Sequence, residues 1–162
     1  MSRKNQGLRA ELGDEARALQ SAVDALDEAV AAHLGVNRTD LRCLDVLLRL
    51  GSATPGKLAT ALGLTTGSVT TMLDRLQRLG HLSRSSDPAD RRKVLVTPSD
   101  SVVRAAGELY GPLADEGARE LARYSTAELD LLIDFHRHSR LLQERHTDRI
   151  RRLRSPQRVQ DE

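Results

Sequence analysis

The sequence predicts a mainly α-helical fold with one small β element, and three observations carry that reading. Aromatic side chains make up 2% of the 162 residues while alanine, leucine and arginine are abundant, so the core is aliphatic and helix-prone. Apolar residues recur at spacings of three and four through most of the chain, the period of an amphipathic helix. Alternation of period two appears only briefly, in two short segments flanking a charged turn between residues 81 and 97. A chain of this length suits one compact domain that buries a core without metal or cross-links. The single cysteine, Cys43, excludes an internal disulfide.

Taken in order, the first helix runs from Leu8 or Leu12 to His33. Its residues Leu12, Ala16, Leu19, Val23, Leu26 and Val30 lie alternately four and three apart, a heptad-like seam. Such a seam is satisfied either by later helices of the same chain or across a dimer axis. Gly35 ends this helix, and Asn37 with Asp40 has the form of a capping box that opens a second helix to Leu50. That helix is expected to bury Leu41, Leu44, Leu47 and Leu48, and Ser52-Ala53 after it is a candidate minimal strand. Thr54-Pro55 places a cap and a first-turn proline before Leu58, Ala59 and Leu62, with Gly63 as the stop. Thr65 caps the next helix, whose apolar stripe is Val69, Met72, Leu73, Leu76 and Leu79, and Gly80 suits the left-handed residue beyond its end.

His81 to Arg84 and Lys93 to Thr97 then read as short strands, joined by Ser85 to Arg92 with Asp-Pro turn chemistry. Thr97-Pro98-Ser99-Asp100 resembles a capping box and sets the start of a long helix at Pro98. Pro112 lies inside that helical pattern, where proline costs ~3 kcal/mol, so a kink is expected near Leu109 to Pro112. Ser125-Thr126-Ala127-Glu128 is a second capping box, opening a last helix with Leu129, Leu132, Ile133, Leu142, Ile150 and Leu153 as apolar residues.

Two helices joined by a tight glycine turn form a helix-turn-helix, and the hairpin beside it makes a wing. Opposite its apolar stripe, the second helix carries Gly67, Thr70, Thr71, Asp74 and Arg78, with Ser68 and Arg75 at the flank. Small hydrogen-bonding groups near the leading end suit base edges, and cations further along suit phosphates. Thr66, Gly67, Ser68, Thr70, Thr71, Arg75 and Arg78 are therefore the candidate DNA-binding set on this helix. Base reading is assigned to Ser68, Thr70 and Thr71, and phosphate or groove-edge contact to Arg75 and Arg78. The wing set is Asp90, Arg91 and Arg92, since an arginine at a hairpin tip is attracted into the minor groove. Alone, a polar helix face or a charged turn is equally an ordinary solvated surface. Charge separates the readings: residues 37–97 hold 10 Lys and Arg against 5 Asp and Glu, whereas 1–36 hold 4 against 6 and 98–144 hold 5 against 9. This is the pattern expected if the middle faces phosphates, which makes double-stranded DNA the expected partner.

The string LTTGSVTTMLDRL, followed by DPADRR and VLVT, resembles the winged helix-turn-helix of MarR-type bacterial transcription regulators. The match is strongest over Leu41 to Thr97, and the wing pattern Asp-x-Arg, Asp90 and Arg92, is its specific part. The resemblance implies that Arg92 enters the minor groove and that Asp90 orients it or a neighbouring arginine. It also implies a homodimer built from the long terminal helices, and a small-molecule effector, often an anionic aromatic compound, bound between reader and dimer helices. That cleft would be bordered by His33, Leu34, Arg42 and Tyr110. Thr71 stands where many members carry a basic residue, which leaves the base-contact set particular to this chain.

The organisation expected is an N-terminal dimerisation helix over 1–36, a DNA-binding module over 37–97 and C-terminal dimerisation helices over 98–162. No apolar run approaches the ~20 residues of a membrane span and no signal peptide is evident, so a cytoplasmic protein without membrane contact is expected. No cofactor, metal or catalytic residue is expected: the histidines lack ligand spacing, and no nucleophile–base constellation or phosphate-cradling loop is present. The functional expectation is a repressor of a pseudo-palindromic operator, released by a small ligand. Two alternatives stay open: a winged helix that docks a protein instead of specific DNA, and a redox-sensing regulator acting through Cys43. The basic tail from Arg145 to Arg158 fits either nonspecific phosphate contact or pairing with a partner subunit's acidic first helix.

Overall fold

A computed structural model of the chain describes residues 3–88 and 90–153. The elements are α1 (Arg3–His33), α2 (Arg38–Leu50), α3 (Pro55–Leu62), α4 (Thr66–Arg78), β1 (Leu82–Ser86), β2 (Val94–Pro98), α5 (Asp100–Leu121) and α6 (Thr126–Leu153). The tail residues Arg154 and Arg158 lie outside the described residues. The chain divides into two units, Met1–Gly111 and Pro112–Glu162.

Local signals set most of the helix ends. Asn37 accepts from the Asp40 N–H at 2.9 Å, and the Asp40 carboxylate accepts from the Asn37 N–H at 3.4 Å, a reciprocal cap on α2. Thr54 and Thr65 cap α3 and α4 through the Lys57 and Ser68 N–H groups, each at 3.3 Å. Gly63 and Gly80 take positive φ of 67° and 74° where the chain leaves those helices. Glu128 and Ser125 form the box that opens α6. α1 begins at Arg3, earlier than its apolar seam, because polar residues propagate a helix once a longer one is nucleated.

The core of the first unit is aliphatic. Cys43, Leu44 and Leu47 of α2, Leu58 and Leu62 of α3, Val69, Met72, Leu73 and Leu76 of α4, and Leu82 and Val96 of the hairpin pack together, with Val102 of α5. A smaller cluster joins Val30 and Ala31 to Leu41, flanked by Leu109 and Tyr110. β1 and β2 pair antiparallel from Leu82↔Pro98 to Ser86↔Val94, and Ala53 adds a single bridge to Val96, the minimal third strand.

Three expectations are corrected. Leu79 is exposed, because the stripe's last member falls at the end of α4, beyond the packed turns. The strands run 82–86 and 94–98, shifted toward the charged loop and the following helix. α5 starts at Asp100, capped by Ser99, whose hydroxyl accepts from the Val102 N–H at 3.4 Å. Thr97 and Pro98 are paired in β2 and so are not free to open a helix. α5 stays helical through Pro112.

In the second unit α6 is 28 residues long and buries none of them among the described residues. In the first unit Leu12, Leu19 and Val23 of the α1 seam are likewise exposed, so nothing in that unit covers the seam's first turns.

Candidate nucleic-acid interface

α4 rests on its four buried apolar residues and turns its other face outward: Thr66, Gly67, Ser68, Thr70, Thr71 and Arg78 are all exposed. The chemistry of that face is narrower than its residue types suggest. The Thr70 hydroxyl donates to the Thr66 carbonyl at 3.0 Å and the Thr71 hydroxyl to that of Gly67 at 3.2 Å. With their protons committed to the helix, the two threonines present a methyl group and acceptor lone pairs to the outside. Ser68 shares a 2.9 Å hydrogen bond with Thr65. A Cβ built on Gly67 would meet nothing within 4 Å, so its small size is not required by packing inside the chain.

Arg75 behaves differently. Its Nε and Nη2 donate to the two oxygens of Asp40, at 2.9 and 2.5 Å, and Asp40 is fully buried. The carboxylate holds the Arg75 guanidinium above its ordinary pKa, chiefly through that hydrogen bond. The pair fastens α4 to the first turn of α2. Asp40 was legible as a cap, but its partner lies 35 residues away and left no local signal.

A second fastening was also missed. Arg84 of β1 makes an ion pair with Asp74 at 2.7 Å and donates to the Gln77 side chain at 2.9 Å, tying the wing to the exposed edge of α4. The i, i+3 spacing of Asp74 and Gln77 puts both acceptors on one face and is the only hint the sequence offers. His81 Nε2 lies 2.9 Å from the Leu34 carbonyl, holding the turn after α4 against the end of α1.

At the wing tip, Asp90 organises the loop. Its Oδ1 accepts from the backbone N–H of Arg92 at 3.2 Å and from Arg92 Nε at 3.3 Å, and its Oδ2 is 3.5 Å from Lys93 Nζ. The Arg92 side chain is 93% exposed. Arg78 and Arg91 make no ion pair among the described residues and are exposed.

Behind α2, away from this face, a cavity of about 330 Å³ is bordered by Val30, Leu41, Leu44 and Leu109, with Asp27, Arg38, Arg42, Asp45 and Tyr110 as polar members. Arg42, Leu34 and Tyr110 line it as expected. His33 does not: it is exposed in the last turn of α1. Burial first, and then the charges of Asp27 and Asp45, raise the Tyr110 phenol, which keeps it a hydrogen-bond donor. Cys43 is fully buried, and burial followed by the Asp40 charge pushes its thiol up to about 12. That environment lacks the exposed thiolate on which the cysteine alternative rests.

Residues 36–94 match the MarR family model. Over 108 residues the chain is 37% identical to the uncharacterized HTH-type transcriptional regulator YcgE of Bacillus subtilis, covering 67% of this chain and 70% of that protein. The fold is similar to that of a MarR family protein from Bacillus stearothermophilus, with a TM-score of 0.60, 22% identity and coverage of 88% and 97%. It is also similar to wild-type MarR from E. coli in its apo form, with a TM-score of 0.55, 22% identity and coverage of 79% and 96%. With a helix-turn-helix whose second helix is exposed along its polar face, and a wing clamped to that helix, the chain belongs to the MarR family of winged helix-turn-helix transcriptional regulators.

Proposed function

We propose that the protein is a homodimeric repressor that grips a pseudo-palindromic operator and lets go when a small molecule enters the cavity behind α2. The observation that carries the DNA reading is the polar face of α4 standing exposed beside a wing whose Arg92 side chain, braced by Asp90, is almost wholly exposed. Gly67, in the first turn of α4 and with no neighbour within 4 Å of where a Cβ would stand, leaves room for close approach by a groove wall. Thr70, Thr71 and Ser68 then meet base edges, Arg78 meets phosphates, and Arg92 enters the minor groove with Asp90 setting the loop that carries it.

Dimerisation is favoured by the first turns of the α1 seam and by the apolar residues of α6, which are uncovered within their own units. A two-fold dimer also supplies the second half-site that one small reader lacks, about 10 bp away or a multiple of it. The effector reading rests on the cavity, whose size is at the lower end for small-ligand sites. Arg42, exposed at its wall, suits a carboxylate, and the Tyr110 phenol adds a donor.

Selection of bound sequences from random duplexes tests the proposal directly. Recovery of a two-fold symmetric site, with affinity falling by roughly 10³ or more between low and moderate salt, is the expected result. Binding without sequence preference or without salt dependence favours a protein-docking winged helix instead. On the selected site, Arg92→Ala is expected to weaken binding by about 1–3 kcal/mol, and an unchanged affinity removes Arg92 from the minor groove.

A further inference from the structure

Arg75 offers more than a positive charge. A guanidinium carries five N–H donors: one fork is formed by Nε and one Nη2 hydrogen, and a second by Nη1 and the other Nη2 hydrogen. The first fork is filled by Asp40. The second makes no hydrogen bond or ion pair among the described residues, and it belongs to a side chain that borders an open groove with Gly67, Ser68 and Thr71 of α4 and Asn37 and Thr39 of α2.

Asp40 cannot easily follow a moving arginine. It is fully buried, its backbone N–H is bound to the Asn37 side chain, and its Oδ2 also accepts from the Asn37 N–H. Separating the pair would strand a buried charge, so the arginine is held in one orientation before any DNA arrives. The pair is also electrically neutral, so it adds little to the general attraction for phosphates. What remains is a rigid, directional donor pair beside the small residues that approach base edges. Two parallel donors of that spacing match the O6 and N7 acceptors of guanine in the major groove.

We propose that Asp40 is a positioning residue which fixes Arg75 as the reader of one guanine in each half-site. This rests on the DNA-binding reading above and adds to it a specificity determinant on α2, a helix otherwise assigned to scaffold and cavity wall.

The test uses the full chain and the selected duplex, with each G·C pair of the half-site replaced in turn by A·T. Wild type is expected to lose roughly tenfold or more at one particular pair. Arg75→Lys keeps the charge but has no second fork, and its loss at that same pair should shrink below about threefold, with the penalties at other pairs retained. Asp40→Asn should flatten the same pair and raise affinity for random duplex, because it releases an uncompensated arginine. A purely structural role for the Asp40–Arg75 pair, or a phosphate contact by Arg75, lowers affinity for every duplex alike and leaves all base-pair penalties in place; that outcome overturns the proposal. Should Asp40→Asn unfold, Arg75→Lys decides alone. A wild-type protein with no sequence preference overturns the DNA reading itself, whereas a sequence preference insensitive to Arg75 overturns this inference only.

Discussion

The reader and the last helix both carry large aliphatic side chains, and these end in opposite states. In the reader, Leu44, Leu47, Leu58, Val69, Leu73, Leu76 and Val96 are at most 1% exposed, each covered by neighbours from other elements of residues 38–98. In α6, Leu131, Ile133, Leu142 and Leu153 are 68%, 53%, 47% and 73% exposed. An amphipathic pattern therefore specifies only that a face wants cover. Whether the cover is present depends on how many elements converge on it. Three helices and a hairpin converge in the reader, while Leu131, Leu142 and Leu153 of α6, eleven residues apart and so on one side of the helix, stay uncovered, an apolar surface of the kind that partners bury.

The largest expected effect tests the closed half of that contrast. Leu76 is fully buried among α2, α3 and the hairpin, so Leu76→Ala leaves a cavity and should lower the unfolding free energy by about 2–5 kcal/mol in chemical denaturation. A loss below about 1 kcal/mol would mean that the reader's core is as loosely covered as the α6 face. The open half is tested by Leu142→Asp. On a solvated helix face this change is nearly silent, whereas at the centre of a subunit contact it should weaken self-association roughly 30-fold, read by sedimentation equilibrium with helicity retained. An unaltered association constant would remove α6 from the dimer contact.

The same contrast explains what the sequence disclosed. Helix ends decided by side chains within a few positions, such as Asn37 with Asp40, Thr54-Pro55 and Ser125 with Glu128, were legible because the cap and the group it satisfies are neighbours in the chain. The start of α5 misled because two signals overlapped. Thr97-Pro98 had the right form, but cross-strand pairing with Ser83 and Leu82 took those residues, and Ser99 became the cap. The candidate interface divides along similar lines. Exposure of Thr70, Thr71, Arg78 and Arg92 followed from helical and hairpin periodicity alone. The attachment of Arg75 to Asp40 and of Arg84 to Asp74 did not, since ion pairs between elements are set by packing angles that no local spacing encodes. The resemblance sets both His33 and Leu34 at the cavity, yet one residue is about 100° of rotation around a helix: Leu34 lines the cavity, and His33 is exposed and does not.

Cys43 offers the finest measure of how closed the reader is. Its thiol is lifted from 9.0 to about 12, first by burial and then by the Asp40 carboxylate, so the folded chain holds that proton more tightly than the unfolded chain does. The sign follows: this contribution to stability is fully present below about pH 9, where both states keep the proton, and is lost as pH rises from there toward 12, where the unfolded thiol ionises and the folded one resists. Other groups titrate in the same range, so the informative quantity is the difference between wild type and Cys43→Ala. The wild-type unfolding free energy should fall more steeply with pH over that window, the two curves converging by at most about 1.4 kcal/mol for each pH unit. Parallel curves would mean that water reaches the thiol in the folded protein, and that the reader's packing is less complete than its buried leucines indicate.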